Sequence, residues 1–207
     1  MRLTAILLAA LSLALPARAA DLAVALTAGG RSVADAVVMV RPDDGPRSAP
    51  RAVGSFVMAQ RDTAFQPFVL IVPVGAEVSF PNLDPFHHHV YSFSRAKTFE
   101  LKLYGQDETR RVRFDRAGVV GVGCNIHDEM SAYIRVVDTP FTAKTTAGGP
   151  ALVRDLPPGP ATVVVWHPHL RTSGGEIIRR VVIPASGVLR LDVAGELRRA
   201  RLRHGGY

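Results

Sequence analysis

Residues 123–134 read GCNIHDEMSAYI, and Cys124 is the single cysteine in a chain of 207 residues. His127 follows three positions later and Met130 three beyond that. Valine-rich runs flank the loop, VVGVGC over 119–124 and AYIRVVD over 132–138. Residues branched at Cβ fit the pleated, half-buried surface of a sheet, so the segment reads as strand, tight loop, strand. Working outward, the same texture recurs in LAVALTAGG, ADAVVMVRPDDG, FVLIVPVGAEVSFPN, HVYSFS, RRVRFDRAG, PATVVVWHP, EIIRRVVIPASG and GVLRLDV. Clusters of Gly, Pro and Asp separate these runs, the spacing of short strands in a sandwich. No long run keeps a helical period of 3.6, so the mature chain is predicted to be all-β, in sandwich form.

The first residues assign a compartment. Met1 and Arg2 precede an apolar run over 3–15, and Ala17-Arg18-Ala19 is a small-x-small cleavage site. This is the pattern of a secretory signal peptide over 1–19. Its apolar run is too short to span a bilayer, and no later run is long enough. The expectation is a periplasmic protein with no transmembrane segment after cleavage. In an oxidising compartment an unpaired cysteine points to an intermolecular bridge, a reactive thiol or a metal thiolate.

The formal net charge is +7, nearly all of it arginine, which favours acidic partners. Nucleic acid is a poor fit, because the arginines are scattered and no motif interleaves them with aromatics. The densest cluster, ELRRARLRHGGY over 196–207, reads as a solvated basic tail.

Two turn-rich stretches without alternation look like boundaries: RPDDGPRSAPRAV over 41–53 and DTPFTAKTTAGGP over 138–150. The block between them holds a second source of ligands, VSFPNLDPFHHHVYSFS over 78–94. A strand alternates its faces, so His88 shares a side with Val90, while His87 and His89 share the other with Tyr91 and Phe93. One of these histidines with Cys124 and His127 makes a His₂Cys set, and Met130 adds a weak thioether. That composition suits one mononuclear copper ion. A buried cysteine is often only a small hydrophobe, and a C-x-x-H pair is common by chance. The conjunction with the histidine run and the methionine favours the metal. His167-Pro168-His169 has ligand-like spacing, but its proline favours a surface turn. Asp84, Asp128 and Glu129 lie near the set and read as solvated loop carboxylates, able to tune a potential or dock a partner. Neither a G-x-S-x-G elbow, nor a P-loop, nor a dinucleotide fingerprint is present.

The stretch FQPFVLIVPVGAEVSFPNLDPFHHHVYSFS, followed by GVVGVGCNIHDEM, resembles the two halves of a cupredoxin, which implies a Greek-key β-sandwich. More narrowly it is similar to plastocyanin-like proteins of the methylamine-utilization type. The resemblance spans residues 56–137 and implies metal ligands His88, Cys124 and His127, with Met130 axial. It places His89 as an alternative ligand and gives His89 and Asn82 positions from which to hydrogen-bond the cysteine loop. The methionine stands nearer the second histidine than in plastocyanin-like proteins, and His89 replaces their usual asparagine. A binuclear purple copper centre needs two bridging cysteines and is excluded. The flanks, GRSVADAVVMV and AGGPALVRDLPPGPATVVVWHP, are similar to a carboxypeptidase regulatory-like, transthyretin-like sandwich.

The resulting expectation divides the chain into a signal peptide (1–19), the first strands of the regulatory-like sandwich (20–52), a cupredoxin-like copper domain (53–138), the remainder of the sandwich (139–195) and the basic tail (196–207). The copper domain is then inserted in the sandwich, unless the two follow one another in sequence. The function implied is one-electron transfer to an acidic periplasmic redox partner, without enzymatic turnover and without a small-molecule substrate. The alternatives are a periplasmic copper chaperone or store, and a metal-free binding module.

Overall fold

The computed structural model describes residues 19–44 and 52–198. The proposed signal peptide, apart from Ala19, lies outside the described residues, as does the basic tail from position 199 onward. The described chain is β throughout apart from a 3-10 turn at Ser173–Gly175. No described helix is long and apolar enough to cross a membrane.

The central block is a two-sheet sandwich. Five strands form one sheet in the order Lys97–Tyr104, His88–Ser94, Gly118–Cys124, Ser131–Val137, Val69–Pro73. Three more, Thr109–Phe114, Ala76–Pro81 and Phe56–Val57, form the facing sheet. The chain crosses between the sheets as it advances: Val69–Pro73 in one, Ala76–Pro81 in the other, then back to His88–Ser94. This is Greek-key connectivity. Alternation decides what each strand buries. In Thr109–Phe114 (TRRVRF), Val112 and Phe114 point inward while Arg111 and Arg113 are exposed. These inward residues join Val78, Phe80, Val90, Val120, Val122, Cys124, Met130 and Ile134 in one core.

A second sandwich is built from both sides of that block. Ala20–Ala28 pairs antiparallel with Ala151–Leu156 and parallel with Gly187–Ala194. In its other sheet, Val37–Pro42 lies between Thr142–Lys144 and Gly159–Trp166, and Glu176–Ile183 closes the far edge. Thr142–Lys144 is a strand inside a stretch that reads as loop. Three residues carry too little pattern to reveal alternation, and the strand is defined by its partner Val37–Met39.

The two sandwiches share a third apolar cluster: Val37, Met39, Val69, Val137, Val164 and Trp166. It explains the continuous runs VVMV and VVVW. Val38, Val40, Val163 and Val165 face the second sandwich's own core, while Val37, Met39, Val164 and Trp166 face the first sandwich. Strands buried on both faces lose the alternation of a half-exposed strand.

Candidate metal centre

The site begins with loop 82–88, NLDPFHH. Asn82 is fully buried. Its Nδ2 donates to the carbonyls of Phe86 (2.8 Å) and Tyr104 (3.1 Å), and its Oδ1 accepts from the Asp84 amide at 3.0 Å. That side chain closes the loop on itself, as asparagine does in turns, and delivers the chain into strand His88–Ser94 with His88 facing inward. His88, Val90 and Ser92 are buried there, whereas Phe93 is 82% exposed.

Cys124 arrives from the neighbouring strand, where Cys124 pairs with Val90 and Gly123 with Tyr91. The loop after it is tied at three points. Asn125 N donates to His89 O (3.0 Å), Met130 N to His127 O (3.0 Å) and Cys124 N to Met130 O (3.3 Å). These bonds fold His127 back over the cysteine. Cys124 Sγ lies 3.6 Å from His88 Nδ1 and 3.7 Å from His127 Nδ1. The three donor atoms lie within 4.8 Å of one another. Phe86 sits against both imidazoles, at 5.2 Å from the His88 ring and 5.4 Å from the His127 ring, centroid to centroid.

Met130 is buried in the same core cluster as Cys124. The side chains of His89 and Asn82 do not join the cluster. His89 emerges on the opposite face and pairs with Glu100 (Nε2–Oε1 2.8 Å), and its main-chain carbonyl accepts from Asn125 N of the cysteine loop. Asn82 spends its hydrogen bonds on its own loop and on Tyr104, because three backbone partners already surround it.

Asp84 is the group whose environment sequence reasoning misread. Far from being a solvated carboxylate, it is 4% exposed, and its Oδ2 lies 2.8 Å from His88 Nε2. The amides of Asp62 and Thr63 donate to its two oxygens at 2.7 and 3.1 Å. Burial alone would raise its pKa, but the hydrogen bonds from His88, Thr63 and Asp62 outweigh it and hold the carboxyl below the ordinary carboxylate range. The D-x-x-x-H spacing was the available signal. Asp128 and Glu129, by contrast, are exposed.

Tyr104 and Gln60 were also missed. Tyr104 pairs with His88 across the sheet. Its hydroxyl donates to Phe80 O (3.0 Å) and accepts from Gln60 Nε2 (2.6 Å). Burial pushes its pKa up to about 12, so the phenol is neutral. The 167–169 histidines do lie in a turn, but His167 is buried with 6% exposure and its Nδ1 accepts from the His169 amide. They stand apart from the metal-ligand cluster, His169 against Phe68 and Tyr133 and His167 against His169.

No family model matches the chain, and no curated protein matches it. Among solved structures, the chain is similar to a copper-containing nitrite reductase from Thermus scotoductus SA-01. That match has 26% identity and a TM-score of 0.40, covering 47% of this chain and 25% of the other. The chain thus spans a quarter of that enzyme's length. It is also similar to a reduced Cu(I) form of an amicyanin variant (18% identity, 48% of this chain, 98% of the other, TM-score 0.38). A third neighbour is a purple cupredoxin from Nitrosopumilus maritimus (19% identity, 40% of this chain, 100% of the other, TM-score 0.37).

Proposed function

We propose that this chain is an exported mononuclear copper protein that carries single electrons, with His88, Cys124 and His127 as strong ligands and Met130 as a weak fourth. The convergence of one thiol and two Nδ1 atoms, from segments more than thirty residues apart in sequence, carries this reading. The two sulfur–nitrogen separations are shorter than the ~4.3 Å reached by a metal–nitrogen and a metal–sulfur bond laid end to end, and all three donor atoms lie within 4.8 Å of one another, which supports one ion shared by all three. One thiolate and two imidazoles with a nearby thioether form a donor set suited to copper. Bound copper would supply the one-electron couple.

The chain's own residues do the rest. The strand pairing and the three loop bonds hold the donors in place, so little needs to move when charge changes. Phe86 and the burial of Cys124 and His88 exclude water from that side. His127 is half-buried, with Phe86 and Ile126 exposed beside it, and this apolar rim is where a redox partner would approach. The net positive charge would speed encounter with an acidic partner, an effect that weakens with salt.

Copper-loaded protein is expected to show an intense visible thiolate-to-copper absorption and a reversible voltammetric couple, both absent in Cys124→Ser. Tight Cu(I) binding with no reversible couple would instead indicate a chaperone or store. Absence of metal in protein purified from its native source would indicate a binding module.

A further inference from the structure

We infer that Asp84, braced by the Asp62–Thr63 turn, is the positioning residue for His88. It accepts the imidazole's Nε2–H and so leaves the Nδ1 lone pair facing Cys124. A neutral imidazole carries one N–H, and an ionised carboxylate can only accept. With His88 Nε2 2.8 Å from Asp84 Oδ2, the proton belongs on Nε2. Nδ1, 3.6 Å from Cys124 Sγ, is then the free donor atom.

Asp84 is itself held at three points, one on its main chain and two on its carboxylate. The Asp84 amide donates to Asn82 Oδ1, while Asp62 N and Thr63 N donate to the carboxylate oxygens. Those two amides come from the two-residue hairpin turn between Ala59–Arg61 and Ala64–Gln66. Both turn residues have positive φ, 55° each. Such turns favour Asn-Gly because φ > 0 is costly with a Cβ. Asp-Thr is an expensive pair for this conformation, and strain of this kind clusters where geometry serves a site. Here it aims two adjacent N–H groups at one buried carboxylate. Three stretches of sequence, at 62–63, 84 and 88, thus make one chain of hydrogen bonds ending at a metal-facing nitrogen. A carboxylate on the far nitrogen also raises the basicity of the imidazole and favours the more highly charged state of a bound ion.

The copper part of this inference rests on the function proposed above; the tautomer does not. The first experiment is therefore ¹⁵N NMR of the histidine rings in metal-free, mildly alkaline protein. His88 is expected with its proton on Nε2, and a proton on Nδ1 overturns the inference. The second compares Asp84→Asn, whose amide can donate as well as accept, with wild type. Asp84→Asn should mix the tautomers and weaken copper binding about 10- to 100-fold. Every tenfold loss of Cu(II) over Cu(I) affinity raises the reduction potential by about 59 mV. If wild type binds copper and Asp84→Asn equals it in tautomer, affinity and potential, the positioning role falls while the function stands. If wild type shows the Nε2–H tautomer but takes no copper, the positioning role stands and the function falls.

Discussion

Neighbouring histidines in this chain have different fates because a strand turns each residue over relative to the last. His88 is fully buried beside Cys124, while His89 reaches outward to Glu100. That much is legible from alternation alone. Asp84 is not, because a carboxylate in a Pro-containing loop looks solvated until the turn at 62–63 is seen to supply its amides. His167 offers a separate test at this scale. Burial, with His169 adding repulsion and Asp35 opposing, lowers its pKa from 6.5 to about 4. The unfolded chain therefore takes up a proton between pH ~6.5 and ~4 that the folded chain refuses. Stability should fall across that window as pH drops and level off below it, with a full extent on the order of 3 kcal/mol. Urea midpoints of wild type and His167→Gln should diverge over this range. Parallel curves would show that His167 does not carry the dependence.

Strands show where sequence reading succeeds and where tertiary context overrides it. Thr109–Phe114 alternates from Arg111 onward because one face meets the core and the other meets water. Val37–Pro42 and Gly159–Trp166 carry unbroken apolar runs because a sandwich covers each face. Gly118–Cys124 has a third character, with glycines at 121 and 123 on the face opposite Cys124. A Cβ at Gly123 would lie 3.1 Å from both Cζ and Oη of Tyr91, closer than ordinary contact. The glycine thus lets the Tyr91 ring lie across the strand one residue before the cysteine. Gly123→Ala should cost about 1 kcal/mol in the wild-type background by overpacking. In a Tyr91→Ala background it should become stabilising by about 0.5 kcal/mol, the usual gain from removing a strand glycine. Urea unfolding of the four proteins measures this coupling. Effects that add to within ~0.5 kcal/mol would rule out the contact.

At the scale of the whole molecule, the two sandwiches meet through a junction that is polar as well as apolar. Arg135 pairs with Glu176 at 2.7 Å and lies over the Trp166 ring at 5.5 Å, while Lys144 Nζ donates to Val69 O. None of these partners is adjacent in sequence, so the junction could not be read from local pattern. Arg135 belongs to Ser131–Val137, the strand that leaves the cysteine loop. The junction therefore backs the same sheet that carries His88 and Cys124. In the function proposed above, segments 82–88 and 124–130 of that sandwich close around one copper ion. Anomalous diffraction at the copper edge from copper-loaded crystals tests it most directly. One strong peak is expected within about 2.0–2.3 Å of His88 Nδ1, His127 Nδ1 and Cys124 Sγ together. Copper found only on surface histidines such as His87, with no peak beside Cys124, would contradict it.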